Sequence, residues 1–348
     1  MAQDLTASAT RIGPSPVRDL GRGTARDASI DALRGFAVFS MFGANLTPYT
    51  VTAPHPLWFR IWASLAAPIF VFLAGYMVGA HAASRPLVSF VKRGAALLII
   101  AALVDWLCWG VTPFTTFDVL YVIALGLPAS AWLVRLPSGW QLFVAALPIV
   151  VAPLLQNYVG YGREASSRMG DAVQAFLVDG WFPMCPWLGI SLCGAVVGRA
   201  RESCARAARP KLLWVGAIAL LLGAAVHALT TPSSATRGGY AELFYPPSLS
   251  YVLLGVGLIL LLLAMLPSSS AGLTSSVLGV YGRTALLMYL THTLIIALIF
   301  KRFLRPQGFS LFFAVYSAFA GLLWAIACWV RERFPKPRRF WARLLLGS

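Results

Sequence analysis

The chain has 348 residues, 59% of them hydrophobic and only 11% charged, with a mean hydropathy of +0.75, whereas soluble domains carry about 25% charged residues. A soluble protein this apolar would precipitate, so most of the chain must face lipid or pack inside a membrane bundle. The net charge of +16 is not a nucleic-acid signature, because no soluble module with a basic, aromatic-bearing face is visible.

Residues 1–28 are polar, with Arg11, Arg18, Arg22 and Arg26 interleaved with Pro, Gly and acids. They hold no apolar run and therefore no secretory signal; a disordered cytoplasmic tail is the expectation. Ten stretches then approach the roughly 20 apolar residues a span requires: 31–49, 57–80, 91–110, 117–134, 139–157, 182–199, 211–230, 248–267, 278–300 and 308–330. Residues 29–330 read as one transmembrane domain, with no internal repeat. Residues 331–348, RERFPKPRRFWARLLLGS, alternate basic and aromatic residues directly after a span. Attraction to anionic lipid headgroups explains that tail. The cysteines Cys108, Cys185, Cys193, Cys204 and Cys328 show no CxxC or His-paired spacing, so neither a disulfide framework nor a metal site is expected.

Lys and Arg counts set orientation. With the N-terminus inside, 21 of the 28 basic residues fall on the cytoplasmic side, and both termini are expected there. The outer side keeps Arg60, Arg163, Arg168, Arg237, Lys301, Arg302 and Arg305. The last three violate the rule: either the final spans are misread or those cations bind something outside. Two outer loops are long, about 157–181 and 231–247, and Met169, Val173, Phe176 and Leu177 in the first fall at helical spacing. Either a short interfacial helix or a plain connector fits. The fold class is thus an all-α polytopic bundle of about ten transmembrane helices.

Polar residues cluster on the first span, SIDALRGFAVFSMFGANLTPYTVTAPH (29–55), which opens on Asp31 and Arg34, reaches Asn45 and is followed by His55. Such groups cost free energy near hydrocarbon, roughly 2.5–3.5 kcal/mol for a charge at the bilayer centre on insertion scales. An anchor has no use for them. Asn45 stands eleven residues after Arg34, about 16 Å along a helix axis at 1.5 Å per residue. One helix therefore reaches from a cytoplasmic cation to an outer amide near an imidazole, a layout suited to a donor inside and an acceptor outside.

Ser29-Ile30-Asp31-Ala32-Leu33-Arg34-Gly35, closing on Asn45 and followed by His55 ahead of Trp58, resembles the start of the catalytic domain in the heparan-α-glucosaminide N-acetyltransferase family of transmembrane acyltransferases. AAPIFVFLAGYMVG (66–79) resembles that family's Pro-x-Phe-x-Phe-x-x-Gly helix, and FDVLYVIALG (117–126), CPWLGISLCGAVVG (185–198) and YGRTALLMYLTHTLI (281–295) resemble later helices of its bacterial members. The resemblance runs over most of residues 29–300. It implies transfer of an acyl group, acetyl or longer, from cytoplasmic acyl-coenzyme A to an amine or hydroxyl of a sugar or glycoconjugate on the outer face, in a bacterial inner membrane. It assigns the catalytic role to His55, with Asn45 beside it. The animal enzymes carry an Asp on the second helix where Ser64 stands here, which removes that group's role. The acyltransferase-3 proteins also open on an Arg-Gly helix but place a His where this chain has Asn45, which favours the first family.

Acyl transfer needs a base with a pKa near the working pH, and His is the usual choice. His55 serves either as base in a ternary complex or as the acyl carrier. Asn45 either orients the imidazole or donates to the tetrahedral oxyanion. Arg34, Arg93 and Arg283, at cytoplasmic span ends, match the phosphates of coenzyme A, and Asp31 pairs with Arg34. His292, mid-span, calls for a partner, and Asp105 and Asp118 flank the second outer loop as helpers. Each has a plainer reading: a solvated loop His, a helix cap at Asn45 or Asp118, topology signals at the arginines, an interhelical hydrogen bond at His292. No metal is expected; a homodimer stays open. The competing function is a secondary transporter or flippase, against which stands the lack of matching halves.

Overall fold

In the computed structural model, residues 27–160, 169–203, 205–230, 240–266, 272, 276–335 and 339–346 are described, and every regular element among them is helical. Of the tail expected over 1–28, residues 1–26 lie outside the described residues, as do the cations Arg163, Arg168, Arg237, Lys336 and Arg338, whereas Asp27 and Ala28 cap and open the first helix. Helix α1 runs Ala28–Thr50, three residues ahead of the Asp31–Arg34 pair, because Asp27 caps it by accepting the Ser29 N–H at 3.0 Å. The same carboxylate pairs with Arg201 at 3.3 Å. At the far end α1 continues five residues past Asn45, with Thr47 and Thr50 hydroxyls donating back to the Gly43 and Leu46 carbonyls at 2.9 and 3.0 Å.

The second expected span is two helices, α2 (Leu57–Ala63) and α3 (Ala66–His81), interrupted at Ser64, whose hydroxyl donates to the Arg60 carbonyl at 2.6 Å. Then follow α4 (Leu87–Val104) with a π-turn Asp105–Trp109, α5 (Val119–Leu133), α6 (Ser138–Val159), and α7 (Met169–Gln174) with a π-turn Ala175–Asp179. Helices α8 (Met184–Ser203), α9 (Ala205–Thr230), α10 (Leu249–Met265), α11 (Val277–Arg283), α12 (Ala285–Ile295, helical on to Phe303), α13 (Phe309–Arg333) and α14 (Phe340–Leu345) complete the chain.

Among the described residues, six stretches are long and apolar enough to cross a membrane: Leu57–His81, Leu87–Trp109, Ser138–Val159, Ala208–Thr230, Ala285–Phe303 and Phe309–Arg333. A seventh arises if α8 and the segment Ala172–Asp179, bent by 50° relative to each other, form one span. The chain is therefore a multi-pass membrane protein. Every one of the ten expected spans falls on helix, but α5 and α10 are shorter, with 15 and 17 residues, and α1 carries its charged opening. The helical spacing read over 169–177 is α7 and its π-turn, and Phe176 packs edge-on against Phe117 at 5.1 Å.

Small residues decide which helices touch. On α3, a Cβ at Gly75 would lie 1.8 Å from the Ser191 carbonyl oxygen, and one at Gly194 of α8 would lie 2.0 Å from that of Phe72. Gly75 and Gly79 face Gly194 and Gly198 as two small-xxx-small stripes, which let helix backbones approach where lipid supplies no hydrophobic drive. Helix α1 meets α11 in the same way: a Cβ at Gly35 would lie 1.8 Å from the Leu278 carbonyl oxygen, and one at Gly282 equally close to that of Asp31. The stretch Leu57–His81 buries 67% of its apolar window, against 11% for α6 and 17% for α9, so these two form the lipid-facing rim.

The loops at the Asn45 end are tied together. The Trp181 and Phe182 N–H groups donate to the Thr116 and Phe117 carbonyls at 2.9 and 2.8 Å. The Leu243 N–H donates to the Ser64 hydroxyl at 2.7 Å, and Arg60 Nε to the Ala241 carbonyl at 3.2 Å. Gln307 and Gly308 N–H groups donate to the Thr50 carbonyl at 3.0 and 2.8 Å, so the segment after Lys301, Arg302 and Arg305 lies at this same end.

Replacing Gly75 by Leu is expected to lower the melting temperature in detergent by the equivalent of about 1–3 kcal/mol or more, because α3 and α8 must separate. Gly139→Ala, where a Cβ meets nothing within 4 Å, should leave it unchanged; equal melting of both variants would remove the close crossing as a source of stability.

Candidate functional site

A cavity of about 290 Å³ opens at the Asn45 end of the bundle. Met41, Ala44, Asn45 and Tyr49 of α1 form one wall, and Ala63, Ala66, Ala67 and Phe70 at the α2–α3 break form the next. Asp105, Trp109, Val111, Thr116, Asp118 and Val119 come from the α4–α5 connection, and Tyr289 and Thr293 from α12. Trp181 and Phe182, with Tyr240, Glu242, Phe244 and Tyr245, bring two further loops over it. Trp181 packs edge-on against Tyr240 and Tyr245 at 4.8 and 5.3 Å, which makes one face of the cavity aromatic. Phe114 and Phe117, at φ 65° and 51°, turn the α4–α5 connection through left-handed backbone, a conformation that concentrates near functional sites.

Asn45 sits inside α1 rather than at its cap, with Nδ2 2.8 Å from His292 Nε2. His292 is 0% exposed, and its Nδ1 lies 3.1 Å from the Met288 carbonyl. A carbonyl only accepts, so Nδ1 carries the proton, and Nε2 is the acceptor for the Asn45 amide. His292 thereby fixes the direction of the amide at the cavity wall. The interhelical partner expected for a mid-span His is Asn45 itself.

Asp105 Oδ2 accepts the Tyr121 hydroxyl at 2.6 Å and its Oδ1 the Thr116 hydroxyl at 3.4 Å. Asp118 accepts the Val119 N–H at 2.6 Å as the cap of α5, and also the Tyr289 hydroxyl. Both acids therefore face the cavity while serving as structural acceptors.

Sequence reading missed a third acid. Glu242 is 4% exposed, lines the cavity, and its Oε2 has no hydrogen-bond partner among the described residues. Burial pushes its carboxyl up to about 7, although the Ala241 and Glu242 N–H groups favour the ionised form. The available signal was its isolation: between Glu202 and Glu332 it is the sole acid, set among aromatics in YAELFY (240–245).

At the other end of α1, Arg34 Nη1 lies 3.3 Å from Asp31 Oδ1 and 3.4 Å from the Gly282 carbonyl. Asp31 is 3% exposed, and a guanidinium held by a buried carboxylate keeps a set direction. Arg283 follows Gly282, whose carbonyl Arg34 reaches, and donates its own Nε back to the Gly279 carbonyl at 3.2 Å. Arg93 lies apart on α4, with Arg85 and Arg343 as charged neighbours. Helix α14, which bears Arg343, packs on α12 directly after Arg283. His55 is half-buried in the loop after α1, its ring 6.2 Å from that of Phe59, and it is not one of the residues lining the cavity.

Glu242 makes a pH-dependent prediction. Its carboxyl is ordinarily near 4.5 and stands near 7 in the folded chain, so the folded state binds the extra proton between those values and loses stability as pH rises through them. At 1.36 kcal/mol per unit the full loss is about 3 kcal/mol. Glu242→Gln should match the wild-type melting temperature at pH 5 and exceed it by about 5 °C at pH 8; a difference independent of pH would contradict the buried carboxyl.

The catalytic pattern of the heparan-α-glucosaminide N-acetyltransferases matches residues 26–230, more than half of the chain, and includes Asp31, Arg34, Asn45, His55, Arg93, Asp105 and Asp118. A second pattern, that of a family known only as a protein of unknown function (DUF418), matches residues 200–334 and includes Glu242, Arg283 and His292. A search of curated proteins finds no relative that matches the chain. A membrane-spanning helical bundle whose first helix carries the Asp-Arg-Gly motif at one end and a cavity-lining Asn at the other thus coincides with that catalytic pattern, and the chain belongs to the heparan-α-glucosaminide N-acetyltransferase family of membrane acetyltransferases.

Proposed function

We propose that the protein transfers an acyl group, acetyl first among them, from acyl-coenzyme A held at the Arg34 end of α1 to an amine or hydroxyl of a sugar or glycoconjugate in the Asn45 cavity. The observation that supports this best is α1 itself, which joins Arg34, aimed by Asp31 and the Gly282 carbonyl at one end, to a polar, aromatic-walled cavity at the other. Ten spans with both termini cytoplasmic, in a bacterial inner membrane, put the arginines inside and the cavity outside. The rise from Arg34 to Asn45, about 16 Å at 1.5 Å per residue, is a distance for the extended pantetheine arm to cover.

Arg34 and Arg283 hold the phosphates through planar, charge-assisted contacts, with Arg93 and Arg343 on the neighbouring rim. His55 is the catalytic imidazole in this reading, either taking the acceptor's proton or carrying the acyl group. Catalytic contacts commonly tighten only in the substrate complex, which accommodates its position outside the cavity wall. Asn45, aimed by His292, retains a second amide N–H for the developing oxyanion, an interaction worth about 2.7–4 kcal/mol in comparable sites. A second reading gives the imidazole's role to His292, because its Nε2 meets Asn45 at 2.8 Å beside the cavity.

In nanodiscs with radiolabelled acetyl-coenzyme A, His55→Ala is expected to abolish turnover while preserving donor binding. Loss of turnover in His292→Ala with His55→Ala active would transfer the role to His292, and absence of donor binding in wild type would sink the enzyme reading. Asn45→Ala should reduce kcat by about 10²–10³-fold. Arg34→Ala and Arg283→Ala should instead raise the donor KM; an unchanged KM in both would remove the arginine pair from the donor site. Cysteine labelling of residues 50–57 from outside checks the orientation.

A further inference from the structure

The acyl-transfer reading uses Asn45, two histidines and the arginines, and leaves Glu242 without a role. Glu242 lies beyond the catalytic pattern's 26–230 match. Its side chain is 4% exposed, it lines the cavity, and Oε2 meets no donor among the described residues. A carboxylate in such a position costs stability unless something donates to it. The loop cannot easily withdraw it. The Leu243 N–H is held by Ser64 at 2.7 Å, and the Ala241 carbonyl by Arg60 at 3.2 Å, so both neighbours of Glu242 are fixed to the α2–α3 break. Tyr251 adds a bond from its hydroxyl to the Ser64 carbonyl at 2.6 Å.

The lining supplies two more features. Among the described residues it holds three carboxylates, Asp105, Asp118 and Glu242, and no Lys or Arg. Asp105 and Asp118 already accept tyrosine hydroxyls, so Glu242 is the acid with an open acceptor. Trp181 and Tyr245, packed edge-on at 5.3 Å, line the same cavity, and their ring faces suit the apolar face of a sugar ring or a cation.

We propose that Glu242 is the acceptor-binding anchor of the cavity: its Oε2 takes an O–H or N–H of a polyol or ammonium-bearing acceptor seated against the Trp181–Tyr245 face. This rests on the cavity being the acceptor site. The titratable groups that line the cavity with Glu242 are Asp105 of the π-turn after α4, Asp118 before α5, Tyr49 on α1, Tyr289 on α12, and Tyr240 and Tyr245 of its own loop; Tyr251 on α10 is electrostatically coupled to it, and Arg60 on α2 holds the carbonyl of the preceding residue. With its carboxyl near 7, Glu242 gains its charge, and the stronger hydrogen bond that comes with it, as pH rises through neutrality.

The test is a binding titration without donor, read by quenching of the cavity tryptophans in purified protein in nanodiscs, with glucose and glucosamine as probes at pH 6, 7 and 8. Wild type should bind at least one probe. Binding of both, tighter at pH 8 than at pH 6, marks hydroxyl recognition; binding of glucosamine alone, strongest near pH 7 where carboxylate and ammonium are both charged, marks an ammonium. Glu242→Gln should weaken binding by about 10–100-fold, the range of a charge-assisted hydrogen bond, and flatten the pH dependence; Glu242→Asp should retain part of that dependence. Unchanged affinity in Glu242→Gln, or no binding of either probe to wild type, overturns the proposal. Acetyl-coenzyme A turnover is measured separately, so its absence together with Glu242-dependent probe binding would fault the acyltransferase reading alone.

Discussion

Close approach of helix backbones is the constraint on which the polar parts of this protein depend. In hydrocarbon an unmatched polar group costs several kcal/mol, and the only remedy is another polar group at short range. The glycine stripes of α3 and α8, and the reciprocal contacts of Gly35 and Gly282 between α1 and α11, bring main chains together until a methyl group no longer fits. That closeness lets Arg34 reach the Gly282 carbonyl. It also leads α11 into α12 along α1, where the Asn45 amide meets His292. Helices α6 and α9, by contrast, bury little of their surface.

One helix therefore serves two sites with different electrostatics. At its start, a buried Asp31 and a carbonyl fix the direction of a cation that stays partly exposed, an arrangement suited to anions. Toward its other end, a neutral amide meets an imidazole inside a wall bearing three acids, an arrangement suited to donors and cations. The opposition of charge between the two ends is what the proposed pair of substrates, a polyanionic donor and a polar or cationic acceptor, would require.

The legible and the hidden parts of the site differ in sequence separation. Asp31 and Arg34 are three apart on one helix, and Asn45 lies on the same helix, so spacing alone related them. His292 was visible as an ionisable group inside a span, but its partner is 247 residues away, and only the fold relates the two. The spans were recoverable from hydropathy, while their interruptions at Ser64 and Thr284 were not, because each break is stabilised locally by a hydroxyl bonding back to a carbonyl. The end of α1 at Thr50 lies one residue beyond the 31–49 span, with Pro48 accommodated inside the helix. Glu242 was hidden most completely: a single acid in a loop becomes meaningful only when the α2–α3 break, the α4–α5 connection and the 181–182 segment converge around it.

Glu242 also shows why an acid can persist where it weakens the fold. Moving the carboxyl from its ordinary range to about 7 sets a standing cost at neutral pH, on the order of 3 kcal/mol at 1.36 kcal/mol per unit, a substantial part of the total for a marginally stable chain. A residue selected for stability alone would be Gln or an apolar side chain of that size, since removing an unpaired buried charge is stabilising. The two ties that Ser64 and Arg60 make to its neighbours hold the carboxylate in the cavity against that cost. A ligand that donates to Oε2 recovers the lost interaction, so the strain in the empty site becomes binding free energy in the occupied one. Its affinity is then set by how firmly the loop is held as well as by the acid itself, which places Ser64, a residue that touches no acceptor in this scheme, in control of how well the acceptor binds.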